Sequence, residues 1–262
     1  MRVHVVSDVH GNAEALARAG DGADALVVLG DLIDFVDYDD HSAGILGRVF
    51  GPERVRRFAE LRATPGGDLV GFVRSLWAGL DDPAAVVEAE VRAQYERLFA
   101  ALTAPTYATP GNVDLPHLWP EYAGAGVTVC DGTVADIGGR LFGFVGGAVL
   151  PPGVRPRTGP RPWTPYLRAG AEYAAAVDGL PDVDVLASHI PPAVPELCYD
   201  VVARHPERGS TELLGYLTRR RPPLALFGHV HAPLARRARV HSTECVNVGH
   251  FRRTESPYVL TW

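Results

Sequence analysis

Residues 224–231 read Leu-Ala-Leu-Phe-Gly-His-Val-His, an apolar run that ends in a glycine followed by two histidines. The apolar part predicts a buried strand that delivers His229 and His231 to one edge of a sheet. Alternate residues of a strand share a face but lie ~7 Å apart, which is wide for one metal ion and suitable for two neighbouring ions. We therefore expect a loop, rather than the strand itself, to carry the histidine pair.

Polar side chains of metal-binding type also follow four other apolar runs. These are Asp8 and His10 after residues 3–6, Asp31 after residues 25–29, Asn112 after residues 105–108, and His189 after residues 183–187. Residues 13–19 have the pattern of a helix, so the chain begins as a βαβ unit with parallel strands. Sites in open α/β sheets form beyond the carboxyl ends of the strands. The five groups could therefore converge, although they are far apart in the sequence.

The candidate ligands are two carboxylates, one amide and four imidazoles. They are too many for one zinc ion, which takes about four ligands, and they fit two ions that share a bridging carboxylate. Mixed nitrogen and oxygen ligation favours Mn, Fe or Zn over an all-oxygen Mg or Ca site. A single His or Asp at a strand end usually caps a helix or faces solvent. Only the combination at five strand ends indicates a metal site.

Composition limits the class of protein. The chain has 262 residues and a formal net charge of −6, which suits one large domain and argues against nucleic acid as a partner. All 25 basic residues are arginine, so a catalytic lysine is excluded. The cysteines Cys130, Cys198 and Cys245 are widely separated, which predicts free thiols. With no signal-peptide pattern and no apolar run of ~20 residues, we expect a soluble, cytoplasmic protein that does not contact membranes.

The order of elements indicates an α/β fold with parallel strands early and more antiparallel strands late. Strands at residues 127–129, 132–137 and 140–145 should form an antiparallel section, and we expect a helix at residues 166–177 and a strand at residues 233–240. Residues 151–165 should form a long loop. The predicted N-caps are Asn12, Asp82 and Ser210. After Asp82, a long helix should bury Val87, Val91, Tyr95, Leu98 and Leu102.

Residues 37–83 interrupt this order of strands and helices and contain short stretches with a helical pattern. We interpret them either as a helical insertion that forms a lid above the strand ends, or as a surface excursion without a role in the chemistry.

Five sequence blocks together resemble the calcineurin-like metallophosphoesterase family. In chain order they are Asp8-x-His10, Gly30-Asp31-x-x-Asp34, Gly111-Asn112, His189 and Gly228-His229-x-His231. The resemblance extends over the whole chain except residues 37–83. It implies a four-layer αββα sandwich of two mixed β-sheets flanked by helices, in a single domain over residues 1–262 with a helical insertion at about residues 37–83.

The resemblance also implies the ligand sets. One ion would be bound by Asp8, His10, Asp31 and His231. The other would be bound by Asp31, Asn112, His189 and His229. Asp31 would bridge the two ions, and Asp34 matches a family position that orients a ligand by hydrogen bonding. The implied reaction is hydrolysis of a phosphate ester by a metal-bridging hydroxide, with Asn112 neutralising charge on the phosphoryl oxygens.

One position departs from the family pattern. Many members carry a histidine after Gly-Asn that helps to protonate the leaving group, whereas this chain has Val113, followed by Asp114. Valine cannot donate a proton, so we expect phosphodiesters or activated leaving groups to be favoured. His10, His41 or His250 could replace the missing acid, and these alternatives stay open. His41 is also a candidate for substrate binding.

Three other functions are alternatives to a phosphodiesterase. They are a phosphomonoesterase acting on nucleotides or proteins, a non-catalytic binding scaffold on the same fold, and a metallo-amidohydrolase, which the late position of His-x-His disfavours. The expected partner is a small phosphorylated substrate, a nucleotide being one candidate, and the arginines of residues 155–161 could contact its phosphate. The oligomeric state is not predicted.

Overall fold

The structure of the protein is a computed structural model that describes residues 1–64, 66–154 and 161–262. Residues 155–160 of the loop predicted at residues 151–165, including the arginines at positions 155 and 157, lie outside the described residues. Among the described helices, none combines the length and the apolar character needed to cross a bilayer. All three cysteines are buried, and none of them forms a disulfide within the described ranges.

The β-strands are β1 (Arg2–Val6), β2 (Ala25–Val28), β3 (Thr106–Ala108), β4 (Val127–Val129), β5 (Thr133–Ile137), β6 (Arg140–Val145), β7 (Ala148–Val149), β8 (Leu167–Arg168), β9 (Val185–Ser188), β10 (Tyr199–Asp200), β11 (His205–Pro206), β12 (Leu224–Phe227), β13 (Arg237–Val240), β14 (Thr243–Asn247) and β15 (Tyr258–Thr261). The α-helices are α1 (Ala13–Ala19), α2 (Gly44–Phe50), α3 (Pro52–Ala63), α4 (Leu69–Trp77), α5 (Pro83–Ala100), α6 (Trp119–Tyr122), α7 (Gly170–Asp178), α8 (Pro195–Cys198), α9 (Thr211–Arg220) and α10 (Phe251–Thr254), and a 3₁₀ turn at Pro116–Leu118 precedes α6.

Two mixed β-sheets form the centre of the fold. The first sheet has the strand order β15-β1-β2-β3-β4, in which β15 is antiparallel to β1 and the other pairs are parallel. The second has the order β13-β14-β12-β9-β6-β5, with a parallel centre and an antiparallel strand at each edge. The predicted βαβ beginning is confirmed, because β1 and β2 pair in parallel around α1.

Successive side chains of a strand point to opposite faces of its sheet, so the apolar side chains form three layers. In β1, Val3 and Val5 belong to the layer between the two sheets, whereas Val6 faces the helices of the first sheet. In β12, Leu226 packs between the sheets and Phe227 packs under the helices of the second sheet. Helices α1 and α5 cover the first sheet, and α7 and α9 cover the second. The predicted four-layer αββα sandwich is confirmed.

The predicted N-caps and the predicted apolar stripe of α5 agree with the structure. Asn12, Asp82 and Ser210 each accept a hydrogen bond at the start of α1, α5 and α9, at distances of 3.0 Å. All five apolar residues of the predicted α5 stripe are buried. Residues 37–83 contain α2, α3 and α4, as the helical pattern indicated. The idea that these helices form a lid stays a prediction.

Three element predictions were wrong. Strand β4 does not belong to the antiparallel section, because it pairs in parallel with β3 in the first sheet. Residues 166–177 are not one helix, because β8 pairs with β7 before α7 begins. The strand expected at residues 233–240 is only Arg237–Val240, because the chain at Pro233 forms an isolated bridge with Asp200 instead. The second sheet also contains more parallel strand pairs than we expected, because strands late in the sequence were predicted to be mainly antiparallel.

Candidate metal centre

Several predicted ligands lie in loops with an unusual backbone. Asp8, His10, Asp31 and His229 have φ values of 58°, 42°, 52° and 67°. A positive φ is costly for a residue with a Cβ, and such residues concentrate at functional sites. Each of the four follows a strand of the two central sheets at its carboxyl end. The loop position predicted for His229 is confirmed, since β12 ends at Phe227.

Two glycines allow these loops to approach each other closely. A Cβ added at Gly228 would overlap the side chains of Ser7 and Asp8. A Cβ added at Gly111 would overlap the carboxylate of Asp31. These contacts give a steric reason for the glycine that precedes Asn112 and for the glycine that precedes His229.

One group of side chains gathers around Asp8. The Nε2 atoms of His10 and His231 lie 3.2 Å apart, and the distances from these two atoms to Asp8 Oδ1 are 3.9 and 3.4 Å. His10 Nε2 also lies 3.9 Å from Asp31 Oδ2. His10 Nδ1 donates to the Ile33 carbonyl over 3.3 Å, which leaves the Nε2 lone pair directed at the group.

A second group gathers around the other oxygen of Asp31. His189 Nε2 lies 3.4 Å from Asp31 Oδ1 and 3.0 Å from Asn112 Oδ1. Its Nδ1 donates to the Leu29 carbonyl over 2.8 Å. The ring of His229 lies edge-on to that of His189, with centroids 5.2 Å apart. Asp31 is therefore shared by the two groups.

The fit of these residues to metal ions can be judged from the lone pairs that face one another. Asp8 Oδ1 and His229 Nε2 are buried and have no hydrogen-bond partner among the residues that the structure describes. The Asp8/His10/Asp31 set and the Asp31/His189/His229 set each bring their ligand atoms within 4.8 Å of one another. Opposed lone pairs on buried nitrogens and oxygens require a proton or a cation between them. The donor set fits divalent metal ions.

Burial and neighbouring charges both shift the pKa values of the predicted ligands. Burial disfavours ionisation of Asp31, but the charges of His189 and His10 outweigh it and lower the pKa of Asp31 to about 2. Burial opposes protonation of His189, yet Asp31 and Asp8 raise its pKa to about 9. Burial and the charge of His189 lower the pKa of His229 to about 4. Because the pKa values of Asp8 and Asp31 are lowered, these two carboxylates stay ionised and attract positive charge into the site.

The sequence as a whole supports the same conclusion. Residues 1–233 match the family model described as calcineurin-like phosphoesterase. The chain belongs to the calcineurin-like phosphoesterase family. No curated protein gives a significant match.

Solved structures show the same fold at low sequence identity. One structure with 16% identity covers 95% of this chain and 91% of its own, with a TM-score of 0.59. The protein TT1561 of Thermus thermophilus has 16% identity, with 99% of this chain and 98% of that chain covered and a TM-score of 0.53. These likenesses support the fold that the family implies.

Within this family fold, Asp114 connects two of the ligand loops. Its carboxylate accepts from the backbone N–H groups of Gly111 at 2.8 Å and Leu32 at 3.1 Å. The neighbouring Val113 N–H donates to Asp31 Oδ1 over 3.0 Å. The Val113 side chain packs against the apolar layer under the helices of the first sheet. Asp114 and Val113 thus hold the loops in place through backbone contacts.

Asp34 has contacts other than those predicted from the family pattern. Its carboxylate forms an ion pair with Arg252 at 3.0 Å, and Arg252 also pairs with Asp37. Its backbone forms two hydrogen bonds with the Gln94 side chain. Burial raises the pKa of Asp34, although Arg252 opposes the shift. We expected a hydrogen bond from Asp34 to a ligand; the described contacts are with Arg252 and Gln94, so an orienting role for Asp34 stays a prediction.

The three candidates for the missing acid lie in different places. His10 belongs to the first ligand group. His41 is half-buried in the loop before α2, and within the described ranges no hydrogen bond, ion pair or ring contact joins it to the ligand groups. His250 stacks on His231, with ring centroids 3.9 Å apart. The substrate-binding role predicted for His41 stays a prediction.

Sequence reasoning did not assign Arg252 and named His250 only as an acid. The available signal was His250 itself, a histidine three residues after Asn247, which is the last residue of the buried strand β14.

Two cavities reach the ligand groups through different histidines. A cavity of about 330 Å³ meets the site at His10 and is also lined by Asn12, Asp34, Arg48, Gln94, Arg97 and Arg252. A cavity of about 260 Å³ meets the site at His231 and His250 and is also lined by Val201, Ala232, Pro233, Arg236, Asn247 and Arg253. Both cavities contain arginines, and the second also has the apolar residues Val201, Ala232 and Pro233 in its lining.

Proposed function

We propose that the protein is a dinuclear metal-dependent phosphoesterase that favours phosphodiesters. The observation that carries this proposal is the position of Asp31, whose two carboxylate oxygens face two different groups of candidate ligands. A carboxylate shared in this way is what two adjacent ions require. The family membership gives the reaction class, which is hydrolysis of phosphoric esters.

In this proposal the first ion is bound by Asp8, His10, Asp31 and His231. The second is bound by Asp31, Asn112, His189 and His229. Divalent ions held there would supply a nucleophile at neutral pH and neutralise charge on the phosphoryl oxygens. Imidazole and carboxylate ligands favour Mn, Fe or Zn. The Nδ1 bonds of His10 and His189 to backbone carbonyls orient both rings for this role.

Asn112 and Val113 lie close to the proposed ion sites and differ in what they can offer to the substrate. The amide of Asn112 lies at 3.0 Å from His189 Nε2, where it can bind the second ion and contact a phosphoryl oxygen. Val113 offers no proton to a leaving group, because its side chain is aliphatic and packs against the apolar layer. A leaving group with a low pKa does not need this proton, so activated esters should react best.

The two cavities support a diester over a monoester. A phosphodiester carries a substituent on each side of the phosphorus, and each cavity meets the site through a different side chain. The cavity at His10, which is lined by Arg48, Arg97 and Arg252, suits a polar or anionic substituent, such as the phosphate or sugar of a nucleotide. The cavity at His231 and His250 has Arg236 and Arg253 beside the apolar residues Val201, Ala232 and Pro233, so it suits a substituent with both polar and apolar parts. A monoester would use only one of the two.

The test compares bis-p-nitrophenyl phosphate with p-nitrophenyl phosphate, using enzyme loaded with Mn²⁺, Zn²⁺ or Fe²⁺. We expect a higher kcat/KM for the diester, and loss of both activities after chelation. Asp31→Asn should abolish turnover while the circular dichroism spectrum is retained, with Asp136→Asn in the distant β5 as the matched control. A strong preference for the monoester would contradict the diester assignment. Full activity of Asp31→Asn would contradict the whole centre.

A further inference from the structure

His250 is held against the ligand loops by the strand that precedes it. Strand β14 is parallel to β12, so the segment after Asn247 opens at the same sheet edge as His229 and His231. The Asn247 side chain donates to the carbonyl of Val230 over 2.9 Å and accepts from the Gly249 N–H over 2.9 Å. The Asn247 amide thus connects the loop after β12 to the loop after β14, which carries His250.

The residues after His250 are bound to the loop that carries Asp8. The N–H of Phe251 donates to the Ser7 carbonyl over 3.0 Å, and the N–H of Arg252 donates to the Asp8 carbonyl over 3.1 Å. Together with the Asn247 bonds, these contacts fix the backbone of His250 from both sides. Its position is therefore set by the same loops that position the first group of ligands.

The ring of His250 faces two members of that group. It stacks on His231 with centroids 3.9 Å apart and an interplanar angle of 16°. It lies edge-on to His10 with centroids 5.6 Å apart. One nitrogen from each of the three rings lies within 4.8 Å of the other two. The Nε2 atom of His250 is buried and has no hydrogen-bond partner in the described part of the chain.

We propose that His250 is an additional ligand of the first ion. This inference rests on the proposed dinuclear centre. A stacked histidine that only filled space would bury a polar nitrogen without a partner, which is destabilising. A cation between His10, His231 and His250 satisfies that nitrogen together with the opposed Nε2 atoms of the other two rings.

The two ions then differ in their ligands. The first ion has three imidazoles and two carboxylates, whereas the second has two imidazoles, the shared carboxylate and an amide oxygen. Imidazole-rich sites suit Zn²⁺ and Fe more than Mn²⁺. We expect the first ion to bind more tightly than the second and to prefer Zn²⁺.

The test counts imidazole ligands directly. In protein loaded with two equivalents of Co²⁺, each ligating ring with an exchangeable Nδ1–H gives a paramagnetically shifted proton signal in the NMR spectrum. His250→Phe keeps an aromatic ring to stack on His231 and removes both nitrogens. We expect this variant to lose one shifted signal and to bind the tighter Co²⁺ at least ~10-fold more weakly by calorimetry, the scale of a lost contact at a metal site. His250→Gln should show the same loss, which separates ligation from ring packing.

Controls make the outcomes distinguishable. His205→Phe replaces an exposed histidine of β11 and should leave the number of signals and both affinities unchanged. His231→Phe should lose one signal, which shows that a ligand is detected. An unchanged number of signals and unchanged affinity in His250→Phe and His250→Gln would overturn the inference and leave the dinuclear centre intact. Absence of shifted signals in the unmodified protein would instead overturn the centre, and this inference with it.

Discussion

Tyr95 on α5 gives a sharp test of how the ligand loops are supported. The Leu115 N–H donates to the Tyr95 hydroxyl over 2.7 Å, and the hydroxyl donates to Asp114 over 3.2 Å. Asp114 in turn accepts from the backbone of Gly111 and Leu32, in the loops after β3 and β2. The ring of Tyr95 is fully buried. Its hydroxyl therefore connects α5 to two loops of the metal centre, in addition to the bonds between Gln94 and Asp34.

Tyr95→Phe keeps the packing of the ring and removes both hydrogen bonds. It leaves the Leu115 N–H without its acceptor, and a buried donor without a partner costs about 1–3 kcal/mol. We expect a loss of about 2 kcal/mol in the free energy of unfolding, or about 4–8 °C in Tm for a chain of this size. Thermal and urea unfolding of the chelated protein measure this loss without a contribution from bound metal. Calorimetry with Zn²⁺ should also show weaker binding, because Asn112 lies in the loosened loop.

Tyr216→Phe is the matched control. The Tyr216 ring is buried on α9, and its hydroxyl donates a single hydrogen bond to the Pro181 carbonyl, away from the site. We expect it to lose about 1 kcal/mol and to bind metal normally. If Tyr95→Phe is no less stable than Tyr216→Phe and binds Zn²⁺ equally well, the supporting role assigned to the Tyr95–Asp114 connection is refuted.

Three further predictions concern the site itself. Val113→His should raise the kcat for phenyl phosphate, whose leaving group needs a proton, by at least ~10-fold relative to bis-p-nitrophenyl phosphate; an unchanged ratio would show that the position does not limit monoester hydrolysis. Gly228→Ala should weaken Zn²⁺ binding because its Cβ would overlap the Asp8 side chain, whereas Gly124→Ala, which meets open space, should not; calorimetry on both variants decides this. Chelation should lower the unfolding free energy by ~2.7 kcal/mol relative to protein with free metal at about 100 times its Kd, and an unchanged Tm would argue against bound ions.

Much of the fold could be predicted because its signals are local. The β-branched runs of β1 and β2 alternate between two apolar layers, and the stripe on α5 repeats at helical spacing, so each segment carries its own pattern of burial. The N-caps are equally local, since one side chain and one N–H lie three residues apart. The pairing of the strands was predicted less well. The three residues of β4 predict a strand, but they do not say which sheet accepts it, because a short strand offers few side chains to distinguish one edge from another.

The sequence by itself determined which chemical groups end the strands: Asp8, Asp31, Asn112, His189 and the His229/His231 pair all follow apolar runs that must be buried. The parallel order of the strands makes their carboxyl ends meet, so these side chains gather for a general reason. Only the tertiary structure decided that His250 stacks on His231 and that Arg252 pairs with Asp34, because β14 lies beside β12 through pairing that no local pattern encodes. It also decided how Asp31 turns one oxygen to each group, which depends on the close approach of loops that are remote in the chain.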